Sequence, residues 1–294
     1  MKPEYMEEGD VGMEAPWFSV DGVAYRARQE PSLRFLKPYG RVFYVFDGQM
    51  SGNLCFGVEG KYGKLFVKYA GARTLNYTGR IEDAVYSLKT AMPIYAVAHP
   101  ALVKLLAHGA TEEGYAAVFQ WRDAPVLRPA PPDPAIADRV RALQAYRKLK
   151  MLDMVYDLHA RLAEEGYIAV DFSDGNVLID FDRDEAIVCD IDLYRKKPAF
   201  NDRGRMPGSS RFMSPEEYTP GAALDERSTV YAMGALAFEF FGDNQGRARE
   251  GWFGPAALYD AARRATQDSP AARPPSMRAF LDQWRQAVRD SWIL

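Results

Sequence analysis

The chain has 294 residues, 48% hydrophobic and 26% charged, which excludes wholesale disorder and collagen-like repetition and leaves room for one large domain or two modest ones. Its 37 Lys and Arg against 40 Asp and Glu give a net charge of −3, which argues against nucleic acid as the main partner. Cys55 and Cys189 are far apart and lack metal-ligand spacing, so neither a disulfide framework nor a zinc ribbon is indicated and a reducing compartment fits. The acidic start MKPEYMEEGD has no apolar run of the kind a leader needs, and no later stretch is apolar enough to cross a bilayer. The expectation is a cytoplasmic protein with no membrane partner.

Residues 1–38 read as an N-terminal extension. The segments 41–46 (RVFYVF), 54–58 (LCFGV) and 64–69 (KLFVKY) are rich in β-branched and aromatic side chains and are separated by Gly-containing turns, which predicts three strands in succession. Apolar side chains at 81, 84, 85, 88, 91 and 92 predict an amphipathic helix over 80–96 with a break at Pro93. Another strand is predicted over 115–121 (YAAVFQW). The Pro-rich RPAPPDP at 128–134 then separates this β-rich part from a helical one.

A helix is predicted over 136–165, with Leu143, Tyr146, Leu149, Leu152, Val155, Leu158 and Leu162 on one broad face. Two short apolar runs flank DFSDGN within 167–180, another lies at 186–189 (AIVC), and helices follow within 230–241, 256–265 and 277–292. A small sheet-based part leading into a larger helical part defines an α+β class.

The segment AVDFSDGNVLIDFDRDEAIVCDID carries the chemistry. It sets Asp171, Asn176 and Asp190 in or beside short turns. Phosphoryl transfer needs a carboxylate that orients or accepts the attacking proton, and oxygen ligands that hold Mg²⁺ on the phosphates. An amide oxygen such as that of Asn176 ligates a hard cation without adding charge. Asp and Asn are also common in turns for conformational reasons, so the triplet alone fits a structural role equally well.

Spacing over the rest of the chain resembles the protein-kinase superfamily, in the manner of a bacterial Ser/Thr protein-kinase-like protein. Ala169, Val170, Asp171, Ser173 and Asn176 match the family's catalytic loop HRDxKxxN, and Asp190, Ile191 and Asp192 match DFG. GSSRFMSPEEY at 208–218 is similar to the segment that closes the activation loop, with Ser214, Pro215 and Glu216 in its APE positions. STVYAMGALAFEF and AARPPS, the latter contributing Arg273, resemble two later signatures.

The resemblance implies a bilobal protein-kinase-like fold, with a small β-rich N-lobe at 39–127 and a larger helical C-lobe at 128–294, forming one catalytic domain at 39–294. It implies an ATP- and Mg²⁺-dependent enzyme that transfers the γ-phosphate to a Ser/Thr hydroxyl of a protein. The alternatives are a small-molecule hydroxyl substrate, such as an antibiotic or metabolite, and a pseudokinase acting as a nucleotide-binding regulatory module. Asp171 takes the role of catalytic base. Lys68 takes that of the lysine on the α/β-phosphates, Glu82 its partner, Gly48 and Gly52 the turn over the triphosphate, and Gln120 to Arg122 the adenine edge behind Phe119. Asn176 and Asp190 would ligate Mg²⁺, while Glu216 and Arg273 would form a buried structural ion pair.

This sequence departs from the family pattern at Val170, Ser173, Asp192 and Thr229, where the family usually has Arg, Lys, Gly and Asp. Loop phosphorylation then lacks one cationic partner and the transferred phosphoryl group another. His99, His108 and His159 show no nucleophile and carboxylate arrangement and read as packing or capping residues.

Overall fold

A computed structural model describes residues 15–129, 131–243 and 246–292. Residues 1–14 of the predicted extension lie outside them. The class is mixed α+β. The chain divides into two compact units, one of residues up to Lys89 with Leu106–Trp121, the other of Thr90–Leu105 with Arg122 onward. The division therefore falls at 121/122 rather than at 127/128, and residues 90–105 go with the second unit.

The first unit opens with strands β1 (Trp17–Val20) and β2 (Val23–Arg26), paired antiparallel around Asp21 and Gly22, both at positive φ. This segment is not a loose extension: Tyr25, Ala27 and Leu36 are buried with the core of the main sheet. That sheet comprises β3 (Arg41–Phe46), β4 (Asn53–Gly60), β5 (Gly63–Ala70), β6 (Leu105–Ala110) and β7 (Tyr115–Gln120), in the order β3-β4-β5-β7-β6. Leu65, Val67 and Tyr69 of the central strand β5 face the core, so the two-residue period places Lys68 on the opposite face, between Cys55 and Ala117.

Helix α1 (Ile81–Tyr95) passes from the first unit into the second. It runs through Pro93 rather than breaking there. Proline in a final turn forfeits one hydrogen bond close to where the helix ends anyway.

In the second unit the predicted long helix is two: α2 (Pro134–Ala142), capped by Asp133, and α3 (Ala145–Glu164). Leu143 and Gln144 between them are extended, with ψ of 139° and 147°. Tyr146 accordingly lies on the surface, 61% exposed, whereas Tyr156 is buried and donates to Met233 O at 3.0 Å. Next come β8 (Tyr167–Ile168), the hairpin β9 (Val177–Asp180) and β10 (Glu185–Val188), and three two-residue strands, β11 (Arg195–Lys196), β12 (Ala199–Phe200) and β13 (Ala223–Leu224).

Helix α4 (Glu226–Phe241) is buried on nearly all sides, between α3, α5 (Ala256–Ala265) and α6 (Met277–Trp292). Gly234 permits the α4–α5 approach, since a Cβ there would stand 2.6 Å from that of Ala265. This helical core holds the 169–176 turn from below. Among the described residues no helix is long and apolar enough to cross a membrane.

Candidate functional site

Asp171 and Asp190 adopt left-handed backbone conformations, φ 64° and 53°, which cost non-glycine residues energy and are best tolerated by Asp and Asn. Burial, with the negative charge of Asp190 adding to it, pushes the Asp171 carboxyl up to about 6. The two carboxylates are thus electrostatic neighbours, as a shared cation or proton would require.

Asn176 ties their segments together. Its Nδ2 donates to the carbonyl of Asp190 at 3.2 Å, while its Oδ1 accepts the Ser173 N–H at 2.7 Å and the Ser173 hydroxyl at 3.2 Å. In the same peptide group, the N–H of Ile191 donates to the hydroxyl of Tyr95, which donates in turn to Asp192 at 2.5 Å. Asp190 is therefore held through both polar groups of the one peptide that follows it.

The four departures from the kinase pattern each have a local reason. Val170 is 2% exposed and belongs to an apolar cluster with Ile168, Met206 and Met213, where a cation would be stranded. Ser173 caps the short 3-10 turn Asp174–Asn176, accepting the Gly175 N–H at 3.2 Å. Asp192 is engaged by Tyr95. Thr229 Oγ1 accepts the buried Ala169 N–H at 3.0 Å.

Below Asp171, His159 is fully buried. Its Nδ1 donates to Val155 O at 2.8 Å and its Nε2 accepts the Tyr194 hydroxyl at 2.7 Å, while its ring meets Phe172 edge-on at 4.8 Å. Desolvation pushes the imidazole down to about 4, and burial together with the nearby Asp171 charge raises the Tyr194 hydroxyl. His159 is a neutral packing residue, and His99 caps the Ala101 N–H at 3.1 Å.

Two ion-pair systems fix the segment after Asp192. Arg211 grips Asp174 through both carboxylate oxygens, at 2.7 and 2.8 Å, and reaches Glu239 of α4. Burial and the Asp174 charge push Glu239 up to about 7 against the pull of Arg211 and Arg128. Arg273 pairs with Glu216 at 2.6 and 3.0 Å, with side-chain exposures of 0% and 9%. This is the buried pair expected from the sequence.

In the first unit, Lys68 is 5% exposed and partnered. Glu82 is not placed to serve it. Its carboxylate is exposed and bonds Arg80 at 3.3 Å, and its charged neighbours are Arg80 and Arg73. The reason lies in the helix register: Glu82 is in the first turn of α1, whereas the buried stripe begins at Ala84.

Gly52 (φ 80°) is required for packing, since a Cβ there would lie 2.7 Å from the Tyr77 ring and 2.9 Å from Ala84. Gly48 has open space around it, and its carbonyl accepts from Asn76 at 3.0 Å. Phe119 is buried and packs against Phe66, Gln120 ends β7 exposed, and Arg122 begins the second unit, partly buried.

Sequence reasoning missed Tyr95, Tyr194 and the Asp174, Arg211 and Glu239 system. Their partners lie 28 to 97 positions away along the chain, beyond any local periodicity. Compared with known proteins, the chain matches no protein-family model and no curated protein sequence.

Proposed function

We propose that the chain is an ATP- and Mg²⁺-dependent phosphotransferase of protein-kinase-like, bilobal architecture that phosphorylates a Ser or Thr hydroxyl of a protein. The observation that carries this reading is the Asp171 and Asp190 pair: two coupled carboxylates in left-handed turns, tied together through Asn176. A group near 6 is mostly ionised at neutral pH yet basic enough to take the proton of an attacking hydroxyl. Asp171 is assigned that role.

Among the described residues no group of three or more His, Cys, Asp or Glu side chains is set to hold a metal. Mg²⁺ usually takes one or two carboxylates and completes its shell with phosphate oxygens and water. Asp190 would hold it, neutralising charge on the phosphates. Asn176 would join by taking the place of the Ser173 hydroxyl on Oδ1, because the Ser173 N–H and hydroxyl together engage both lone pairs of that atom. Lys68, an ammonium on the central strand facing away from the sheet core, is assigned to the α- and β-phosphates.

The test is transfer of label from γ-labelled ATP to a mixed Ser/Thr peptide library with Mg²⁺ present, alongside a thermal shift. MgATP at 100 times its Kd should add about 2.7 kcal/mol of stability. Asp171→Ala should lose transfer and keep the shift. Full transfer by that variant would refute the assignment. The engagement of Asn176 Oδ1 by Ser173 favours a second reading, a nucleotide-binding regulatory module, which a shift without any transfer would establish.

A further inference from the structure

Charge around Asp171 is unevenly distributed. Residues 171–192 hold eight Asp or Glu and one Arg, a net −7, whereas 193–214 hold six Lys or Arg and one Asp, a net +5. Four of the six cations already face carboxylates: Arg195 pairs with Asp202 at 2.9 Å, Arg203 with Asp202 at 3.9 Å, Lys197 with Glu226 at 2.5 Å, and Arg211 with Asp174 and Glu239.

Arg205 differs. Its exposed guanidinium donates to the carbonyls of Met206 at 3.4 Å and Gly208 at 3.1 Å and lies 5.7 Å from the Tyr218 ring centroid. Among the described residues no carboxylate pairs with it. The backbone beneath is fixed, since Met206 is fully buried beside Ile168 and Val170 and its N–H donates to Glu217 O at 2.9 Å. Gly208, which receives the guanidinium, lies against Asp171: a Cβ on it would stand 3.5 Å from Asp171 Cα. A cation held only by neutral carbonyls keeps its full charge for an incoming anion, and the planar guanidinium suits a carboxylate.

We propose that Arg205 determines acceptor specificity by binding a carboxylate on the substrate, so that the phosphoryl acceptor is an acidic peptide segment with Asp or Glu close to its Ser or Thr. The inference rests on the phosphotransfer reading for the role of Asp171. A peptide is favoured over a long polyanion because Asp171, against which Gly208 lies, and its electrostatic neighbour Asp190 repel an extended row of negative charge, while one carboxylate can be taken locally.

The test titrates the full chain with fluorescent Ser peptides of one sequence flanked by Glu, Gln or Lys, read by anisotropy. The Glu peptide should bind about tenfold more tightly than the Gln peptide, and raising the salt should shrink the difference. Arg205→Gln should abolish the preference and Arg205→Glu should transfer it to the Lys peptide, with the MgATP thermal shift unchanged in both. Equal affinities, a preference that survives Arg205→Glu, or tighter Arg205-dependent binding of an oligonucleotide or a phosphatidylserine vesicle would overturn the proposal. Parallel label transfer separates the two readings. Glu-peptide preference without transfer keeps the docking role and removes the phosphotransferase; transfer without preference does the reverse.

Discussion

The hydroxyl of Thr229, in the buried helix α4, accepts the backbone N–H of Ala169, two residues before Asp171, at 3.0 Å. Both residues are almost fully buried, so no water stands in for the bond. Thr229→Val preserves shape and orphans that N–H, at an expected cost of about 1–3 kcal/mol in denaturant unfolding. Thr229→Ser should recover most of the loss. If Val and Ser variants are equally stable, the hydroxyl is not the anchor.

Glu216 and Arg273 form a bidentate pair, and Arg273 also donates to the carbonyls of Arg227, Gln267 and Asp268. Arg273→Met should cost about 3–5 kcal/mol by leaving a buried carboxylate unpaired. Burial alone would raise Glu216, but the hydrogen bonds and charge of Arg273, helped by a backbone hydrogen bond and the Ser228 hydroxyl, outweigh it and hold the carboxyl below its ordinary value. The pair's contribution is therefore complete above the unfolded value, about 4.3, and lost as pH falls through the folded one. Chemical denaturation at pH 7 and at pH 3 should show Arg273→Met losing less at the lower pH.

Asp171 works in the opposite sense. With its folded value raised to about 6, the folded chain holds a proton that the unfolded chain has released. Stability from this group is present below the ordinary carboxylate value and declines as pH rises to about 6. Asp171→Asn tolerates the left-handed backbone and should gain up to about 3 kcal/mol at pH 7.5 and almost nothing at pH 3.5. An equal effect at both pH values would assign the gain to another cause.

Tyr95→Phe deletes the acceptor for Ile191 N–H and the donor to Asp192 without changing the packed ring. If Asp190 holds Mg²⁺, loosening its flank should weaken Mg²⁺-dependent ATP binding about tenfold and leave Mg²⁺-free binding unaltered. Calorimetry with and without the metal separates the two. Equal weakening in both conditions would show that Tyr95 does not act through the metal.

His159, lowered to about 4 by desolvation, should show imidazole resonances that stay in the neutral, Nδ1-protonated form from pH 8 down to pH 5.5. Because the unfolded chain takes up that proton first, acid stability should fall from about pH 6.5 towards 4. An ordinary histidine titration curve would refute the buried assignment.

Elements with local signals are legible in the amino-acid sequence. Strand period and turn glycines located β3, β4, β5 and β7, apolar spacing located the helices, and the pairing of Glu216 with Arg273 was implied by the resemblance of their segments to two kinase signatures. The Asp21-Gly22 hairpin signal was also present in the sequence, though it lay inside a stretch read as an extension. The remaining features depend on distance through space. Leu143 and Gln144 end a helix that periodicity would continue, and Glu82 turns outward because α1 buries the stripe beginning at Ala84. Tyr95, Thr229 and Arg211 reach partners 28 to 97 positions away. Periodicity reports which face of an element is apolar, but a hydrogen bond between remote segments leaves no period in either, so the residues that hold Asp171 and Asp190 in place emerge only from the folded chain.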